Sequence, residues 1–399
     1  MTAAHAILFP FVGGDVVGGS HLSALRLIAA LDPGRFRPRI VLHGGGGRLA
    51  GLIEDHGLSW DRLDHPGIIA PRYSREPGNV SLPRYLLASA GGLRRLLTDW
   101  GIDLVHTNDG RMHANWALPA RLAGCRLVWH HRQSPTALGV NLIAPLLAHR
   151  IIGVSHFSRP ARPVWPLRDR FRVIPSPFDL AAIRPDRHAS MAQIRTAIGA
   201  MPSAVVLGYV GVLNRRKRPD HFVRVIARLH RDIPDRDIHG VILGRAEHPD
   251  DPVIRNCIAL AAELGIRSRL HLLGHRSPIE PWLAGLDALL VTALDEPFGR
   301  TLIEAMHLHV PVVATRHGGN PEAIQDGRTG YLVEARDPAA FVPPLRRLME
   351  DPELRDRITD AAARGLERYA SDIHVRHVQD LYSDLLKPSA ATRKKVRHV

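Results

Sequence analysis

Between Ala288 and Thr315 two short apolar runs bracket a bend and a helical stretch, and few chain plans accommodate that order. Ala288 to Ala293 and Val310 to Ala314 are short, continuous and apolar, which suits strands covered on both faces. Asp295-Glu296-Pro297-Phe298-Gly299 stops the first run, and a helix is expected from about Thr301. Strand, loop, helix and strand in this order make a parallel α/β unit, whose ligands bind beyond the carboxyl ends of the strands. Glu296 then lies on the loop and Glu304 in the first turns of the helix.

A helix N-terminus presents unpaired backbone N–H groups to a phosphate or another developing anion, and Gly299 has no side chain to block its approach. Glu304 can accept hydrogen bonds from vicinal sugar hydroxyls, while Glu296 can face a reacting centre. Thr301-x-x-Glu304 also fits a capping box, in which Glu304 would do no more than close the helix end.

The same alternation runs along the chain. His5 to Val12, Arg39 to His43, Asp103 to Thr107, Arg126 to Trp129, Arg150 to Val154 and Phe171 to Ile174 read as strands of one domain, residues 1–183. Val205 to Val210, Gly240 to Gly244, Leu270 to Leu273 and Gly330 to Val333 join the opening unit in a second, 203–371. A polar, proline-bearing stretch at 184–202 is the expected linker, 372–386 a final helix, and 387–399 a basic disordered tail.

Three strand ends carry chemistry. The first runs into Gly13 to Ser20, where backbone N–H groups near Gly18 and Gly19 can point at phosphate. Val205 to Val210 runs into Arg215-Arg216-Lys217-Arg218, cations at a helix start that suit a diphosphate, although a solvated basic turn has the same composition. Arg126 to Trp129 delivers His130-His131 to the sheet edge, where an imidazole can bond a sugar hydroxyl or phosphate. Alternation with Leu127 and Trp129 favours His131 over His130.

A net charge of +14 suits an anionic partner. Tyr85 to Trp100 is a basic amphipathic pattern, fit either for a membrane surface or for packing on the sheet. An aromatic content of 5% offers no stacking platform, so no nucleic acid is expected. Cys125 and Cys257 follow no ligand pattern and read as buried thiols. With no apolar run of spanning length and no secretory-type N-terminus, a cytoplasmic protein is expected. The cations, without an Asp-x-Asp at a strand end, argue against a divalent metal on a leaving group.

Glu296-Pro297-Phe298-Gly299, the Glu-x7-Glu spacing to Glu304, Glu304-Ala305-Met306, Val310 to Thr315, Gly318-Gly319 and Asp326-Gly327-x-Thr329-Gly330-Tyr331 together resemble the C-terminal signature of retaining glycosyltransferase family 4. The resemblance implies the GT-B fold, two Rossmann-like α/β/α domains facing across a deep cleft, with the C-terminal helix crossing back to the first. It implies transfer of a sugar from a nucleotide diphosphate sugar to a hydroxyl acceptor, with retention and with no metal or other cofactor. Glu296, His131 and Lys217 are then catalytic, and Gly18, Gly19, Arg215, Arg216, Lys217, His275, Arg276, Phe298, Gly299, Arg300 and Glu304 hold the donor. The acceptor is a glycan, a lipid-linked sugar or a small molecule, with the enzyme peripheral on an anionic membrane. Val212 stands where the family has Arg, Arg218 where it has Gly, and Ser176-Pro177 where it has Asn-Gly. Arg215 or Arg216 would compensate for the first of these. A GT-B epimerase, or a nucleotide-sugar-binding protein with a decayed site, would share the same motifs.

Overall fold

The computed structural model describes residues 4–15, 17–65, 67–70, 80–180, 184–248 and 250–387. Of the basic tail only Lys387 is among them; residues 388–399 lie outside the described set. The chain divides into two compact units, Met1–Phe178 with Tyr369–Val399, and Asp179–Arg368.

Among the described residues the first unit holds seven strands: β1 (His5–Val12), β2 (Phe36–His43), β3 (Trp60–Leu63), β4 (Leu104–Thr107), β5 (Arg126–His131), β6 (Arg150–Gly153) and β7 (Phe171–Val173). Their order is β3-β2-β1-β4-β5-β6-β7, with every pairing parallel. The chain builds outward from β1 to β3 and returns to the other side of β1, so the order reverses between β1 and β4. Such a reversal opens a crevice at the carboxyl ends of the strands.

Strand periodicity divides the apolar side chains between two faces. Leu8, Val105, Leu127 and Ile151 join one core cluster, while their neighbours Ile7, Leu104, Val128 and Ile152 join another. Both faces are covered, which is why these strands read as continuous apolar runs. The second cluster is completed by the helix Ser371–Leu386, whose Val375, Val378, Tyr382 and Leu385 recur at helical spacing. Each such side chain contributes about 1.5–3 kcal/mol when fully buried, so this last helix is an integral part of the first unit. The amphipathic stretch packs likewise: Tyr85, Leu93 and Leu97 are buried in the first cluster.

The second unit holds β8 (Val205–Val210), β9 (Ile238–Leu243), β10 (Leu270–Gly274), β11 (Ala288–Val291), β12 (Val312–Thr315) and β13 (Tyr331–Val333). Their order is β10-β9-β8-β11-β12-β13, again all parallel, with the reversal between β8 and β11. Helix Pro219–Asp232 packs through Phe222, Val225, Ile226 and Leu229, at the 3–4 spacing of a helix lying on a sheet.

The expected linker 184–202 is instead a structural element of the second unit. Helix Arg187–Ile198 is capped by the Asp186 side chain, which accepts from the N–H groups of His188 and Ala189, and it ends at Gly199 with φ of 65°. Arg195 is buried on it and donates to Asp287 Oδ2 at 2.8 Å and to the Ala204 carbonyl at 3.1 Å. Its polar composition imitates a linker because the helix is anchored by a buried ion pair as well as by apolar contacts. The unit boundaries accordingly fall at 178/179 and 368/369, in place of 183/203 and 371/372.

Candidate functional site

In the second unit, the turn after β8 is tied to the end of β11. Asn214 holds it from within, its Oδ1 accepting from Lys217 N–H at 2.9 Å and its amide donating to Glu247 Oε2 at 2.8 Å. Thr292 Oγ1 donates to the carbonyls of Lys217 and Arg218 at 3.0 and 2.9 Å, and Leu294 N–H to that of Arg216 at 2.9 Å. With these carbonyls engaged, Arg216 and Lys217 extend their side chains to Glu296. Arg216 Nη1 lies 2.8 Å, and Lys217 Nζ 2.5 Å, from the same Oε2.

Glu296 is only 7% exposed. Burial pushes its carboxyl up, but Lys217 and Arg216 outweigh burial and hold it below the usual carboxylate range. A buried carboxylate and two partly exposed cations therefore meet at the topological reversal of this sheet. A small, narrow pocket adjoins them, lined by Tyr209, Lys217, Thr292, Glu296, Gly299 and Thr301.

The turn after β12 shapes the loop that carries Glu296. Gly319 N–H donates to the Glu296 carbonyl at 2.8 Å, and a Cβ on Gly318, whose φ is 66°, would lie 2.6 Å from that oxygen. The helix beyond the loop, Arg300–His307, has Gly299 as its N-cap. Thr301 is therefore inside the helix, and the expected capping box does not form. Glu304 instead approaches Arg300, with Oε1 3.6 Å from Nη2. Phe298 is half-buried at the loop.

The remaining expected residues are spread along the same strand ends. Arg215 is exposed and makes no hydrogen bond or ion pair among the described residues. Arg218 turns away, bonding the Ala335 carbonyl and, at 2.6 Å, His221 Nδ1. Its φ of 53° is left-handed, which explains why glycine suits the position. His275 is exposed beyond β10, and the Arg276 guanidinium lies over the Trp282 ring at 4.8 Å.

In the first unit, Gly18 is the N-cap of helix Gly19–Ala29, and its N–H donates to His21 Nδ1 at 3.1 Å. At the ends of β4 and β5 lies a buried histidine cluster that motif reading did not anticipate. His106 Nδ1 bonds the Tyr382 hydroxyl, and His106 Nε2 lies 3.1 Å from His130 Nδ1. If the hydroxyl donates, His106 passes its own N–H to His130, which must then carry its proton on Nε2. That Nε2 is buried with no hydrogen-bond partner among the described residues. His131 Nε2, by contrast, donates to the Ser134 carbonyl at 3.0 Å.

Burial, reinforced by Arg132, holds His106 and His130 well below the ordinary histidine value, while burial brings His131 down to about 4. All three are neutral near pH 7. Ser176, standing where Asn was expected, accepts from Arg132 Nη1 at 2.9 Å. Asn108 is buried at the end of β4 with both side-chain polar atoms unpaired among the described residues. Only the polar end of that strand hints at it in sequence. Among the described residues no three His, Cys, Asp or Glu side chains group to hold a metal ion, and no helix is long and apolar enough to cross a membrane.

Two Rossmann-like α/β/α units, with the last helix returned to the first, define the GT-B fold. HepE of Anabaena, solved in complex with UDP and glucose, matches with a TM-score of 0.77 at 21% identity, over 94% of this chain and 99% of that one. The family model for glycosyl transferases group 1 matches residues 192–365. D-inositol 3-phosphate glycosyltransferase of Streptomyces avermitilis is 30% identical over 387 residues, 94% of this chain and 79% of that protein. The protein of the same name from Corynebacterium efficiens is 31% identical over 220 residues, 54% of this chain. That match spans about half (51%) of the relative's length. The chain belongs to the glycosyl transferases group 1 family.

Proposed function

We propose that this protein transfers a sugar from a nucleotide diphosphate sugar to a hydroxyl acceptor, with retention of configuration and without a divalent metal. The observation that carries this reading is the convergence of Lys217 and Arg216 on Glu296 at the reversal of the second sheet. Breaking a glycosidic bond to a diphosphate leaves negative charge on the departing oxygens, and two fixed cations held at the strand end stabilise that charge as it forms. This is the task a metal would otherwise perform. Glu296 stands beside the donor sugar, the Arg300–His307 N-terminus and Phe298-Gly299 meet the donor, and Glu304 takes ribose hydroxyls. His275 and Arg276 lie where a base would be read, and Arg215 adds positive charge. In the first unit, Gly18 and Gly19 meet phosphate. The partnerless Nε2 of His130 favours it over His131 as the group that meets a hydroxyl.

UDP and glucose in HepE, and inositol 3-phosphate in the names of the two relatives, make a uridine diphosphate sugar and a phosphorylated or lipid-linked hydroxyl compound the first pair to test. The product would enter glycan or glycolipid synthesis at the cytoplasmic face of an anionic membrane. Incubation with a panel of nucleotide diphosphate sugars, with and without acceptors, tests the proposal by nuclear magnetic resonance. Release of nucleoside diphosphate with an acceptor-linked sugar of unchanged anomeric configuration is expected. Conversion of a donor into its sugar epimer, still joined to the nucleotide and with no acceptor present, would make the protein an epimerase, and donor binding without any turnover would make it a binding protein.

A further inference from the structure

Leu138, Leu142 and Leu146 follow one another at four-residue intervals along helices Leu138–Leu142 and Ala144–Leu147, and all three are exposed. Val164 and Trp165, the latter 61% exposed, belong to a separate loop. Asn141 draws that loop onto the helices: its carbonyl accepts from Val164 N–H at 2.9 Å and its Oδ1 from Arg162 N–H at 2.7 Å. Arg170 fastens the other end, donating to the carbonyls of Pro145 and Pro166 at 2.9 Å each. Five large apolar side chains thus lie on one stretch of surface in the first unit. Single exposed leucines are ordinary, but a contiguous group of this size marks an interaction site.

The surrounding charge is predominantly positive, with the exposed Asp169 beside Arg168 as an acid at its edge. No Asp or Glu occurs between Asp109 and Asp169, and Arg159, Arg162 and Arg168 are exposed beside the apolar group. We infer that this surface docks the first unit on an anionic lipid membrane. The leucines enter the acyl boundary, Trp165 sits at headgroup level, and the arginines meet lipid phosphates. A second copy seated on the same patch would set arginine against arginine, and the basic segment 388–399 is repelled for the same reason. The amphipathic stretch from Tyr85 cannot take this role with its main apolar face, because Tyr85, Leu93 and Leu97 are already packed in the core.

This inference gives a location to the membrane part of the proposed function, and both its readout and its folding controls, a wild-type thermal midpoint and circular dichroism spectrum, need no nucleotide, so either can fail alone. The 399-residue chain is floated with phosphatidylcholine vesicles and with vesicles that also contain phosphatidylglycerol. It should rise with the anionic vesicles, not with the neutral ones, and added salt should release it. The double variant Leu142→Ser/Leu146→Ser should lower vesicle affinity at least about tenfold, while Leu142→Met retains it. A wild-type thermal midpoint and a wild-type circular dichroism spectrum of the double variant separate that loss from misfolding. Equal flotation with neutral lipid, no flotation, or a double variant that binds like the wild type would overturn the inference. So would a dimer in sedimentation that the double variant dissociates, since the patch would then belong to a second copy.

Discussion

Lys217 Nζ lies 2.5 Å from Glu296 Oε2, and Arg216 reaches the same oxygen, so the carboxylate occupies the cations proposed for the leaving diphosphate. Glu296→Gln removes the competing charge and leaves the cations in place. It should tighten nucleoside diphosphate binding several-fold while slowing sugar transfer by at least about tenfold. Calorimetry and turnover measured on one preparation check both signs. Weaker binding together with slower turnover would show that Glu296 only organises the loop.

Gly318→Ala should be severe although its side chain is one methyl. The new Cβ would meet Glu296 N at 2.8 Å and Glu296 O at 2.6 Å, both of them backbone, at a left-handed φ. A loss of about 2 kcal/mol or more in stability is expected, with weakened donor binding, by thermal unfolding and nucleotide titration.

Acid should weaken the first unit before the carboxylates titrate. Burial lowers His106 and His130 well below 6.5, His131 to about 4 and His374 to about 3. Each takes up its proton first in the unfolded chain. The stability each contributes is therefore complete above pH 6.5 and is lost as pH falls toward the folded value, at about 1.4 kcal/mol per unit for each histidine. Urea unfolding followed by hydrogen exchange in β4 and β5 measures this, and His374→Asn should give a shallower slope.

Arg195→Ala tests the helix that replaces the expected linker. It leaves Asp287 largely without its partner beside the Val206 N–H, which that carboxylate also accepts at 2.7 Å. About 3 kcal/mol of destabilisation is expected in urea titration. A neutral substitution would return the segment to the status of a linker.

Most of the architecture could be read because parallel strands covered on both faces leave short apolar runs, such as Val205 to Val210, that end in glycine or polar residues. The edge strand Trp60–Leu63 has no such run, since only Leu63 is buried, and it was not readable. Helix Arg187–Ile198 carried its signals at the ends, in Asp186 and Gly199, while its composition pointed the other way. Strand ends placed Arg216, Lys217 and Glu296 at the edge of one sheet, and the family resemblance suggested that they share a site. The histidine cluster was not legible, because His106 and His130 meet only once β4 pairs with β5, and His374 is added from the distant last helix.

Titrating nucleoside diphosphates into the wild type and Lys217→Ala by calorimetry tests the central claim most directly. One saturable site is expected in the wild type, with binding weakened about tenfold or more in the variant, whose Glu296 keeps Arg216 as a partner and whose fold is verified by circular dichroism. No binding of any nucleoside diphosphate, or equal binding by both proteins, would contradict a donor site built on Lys217.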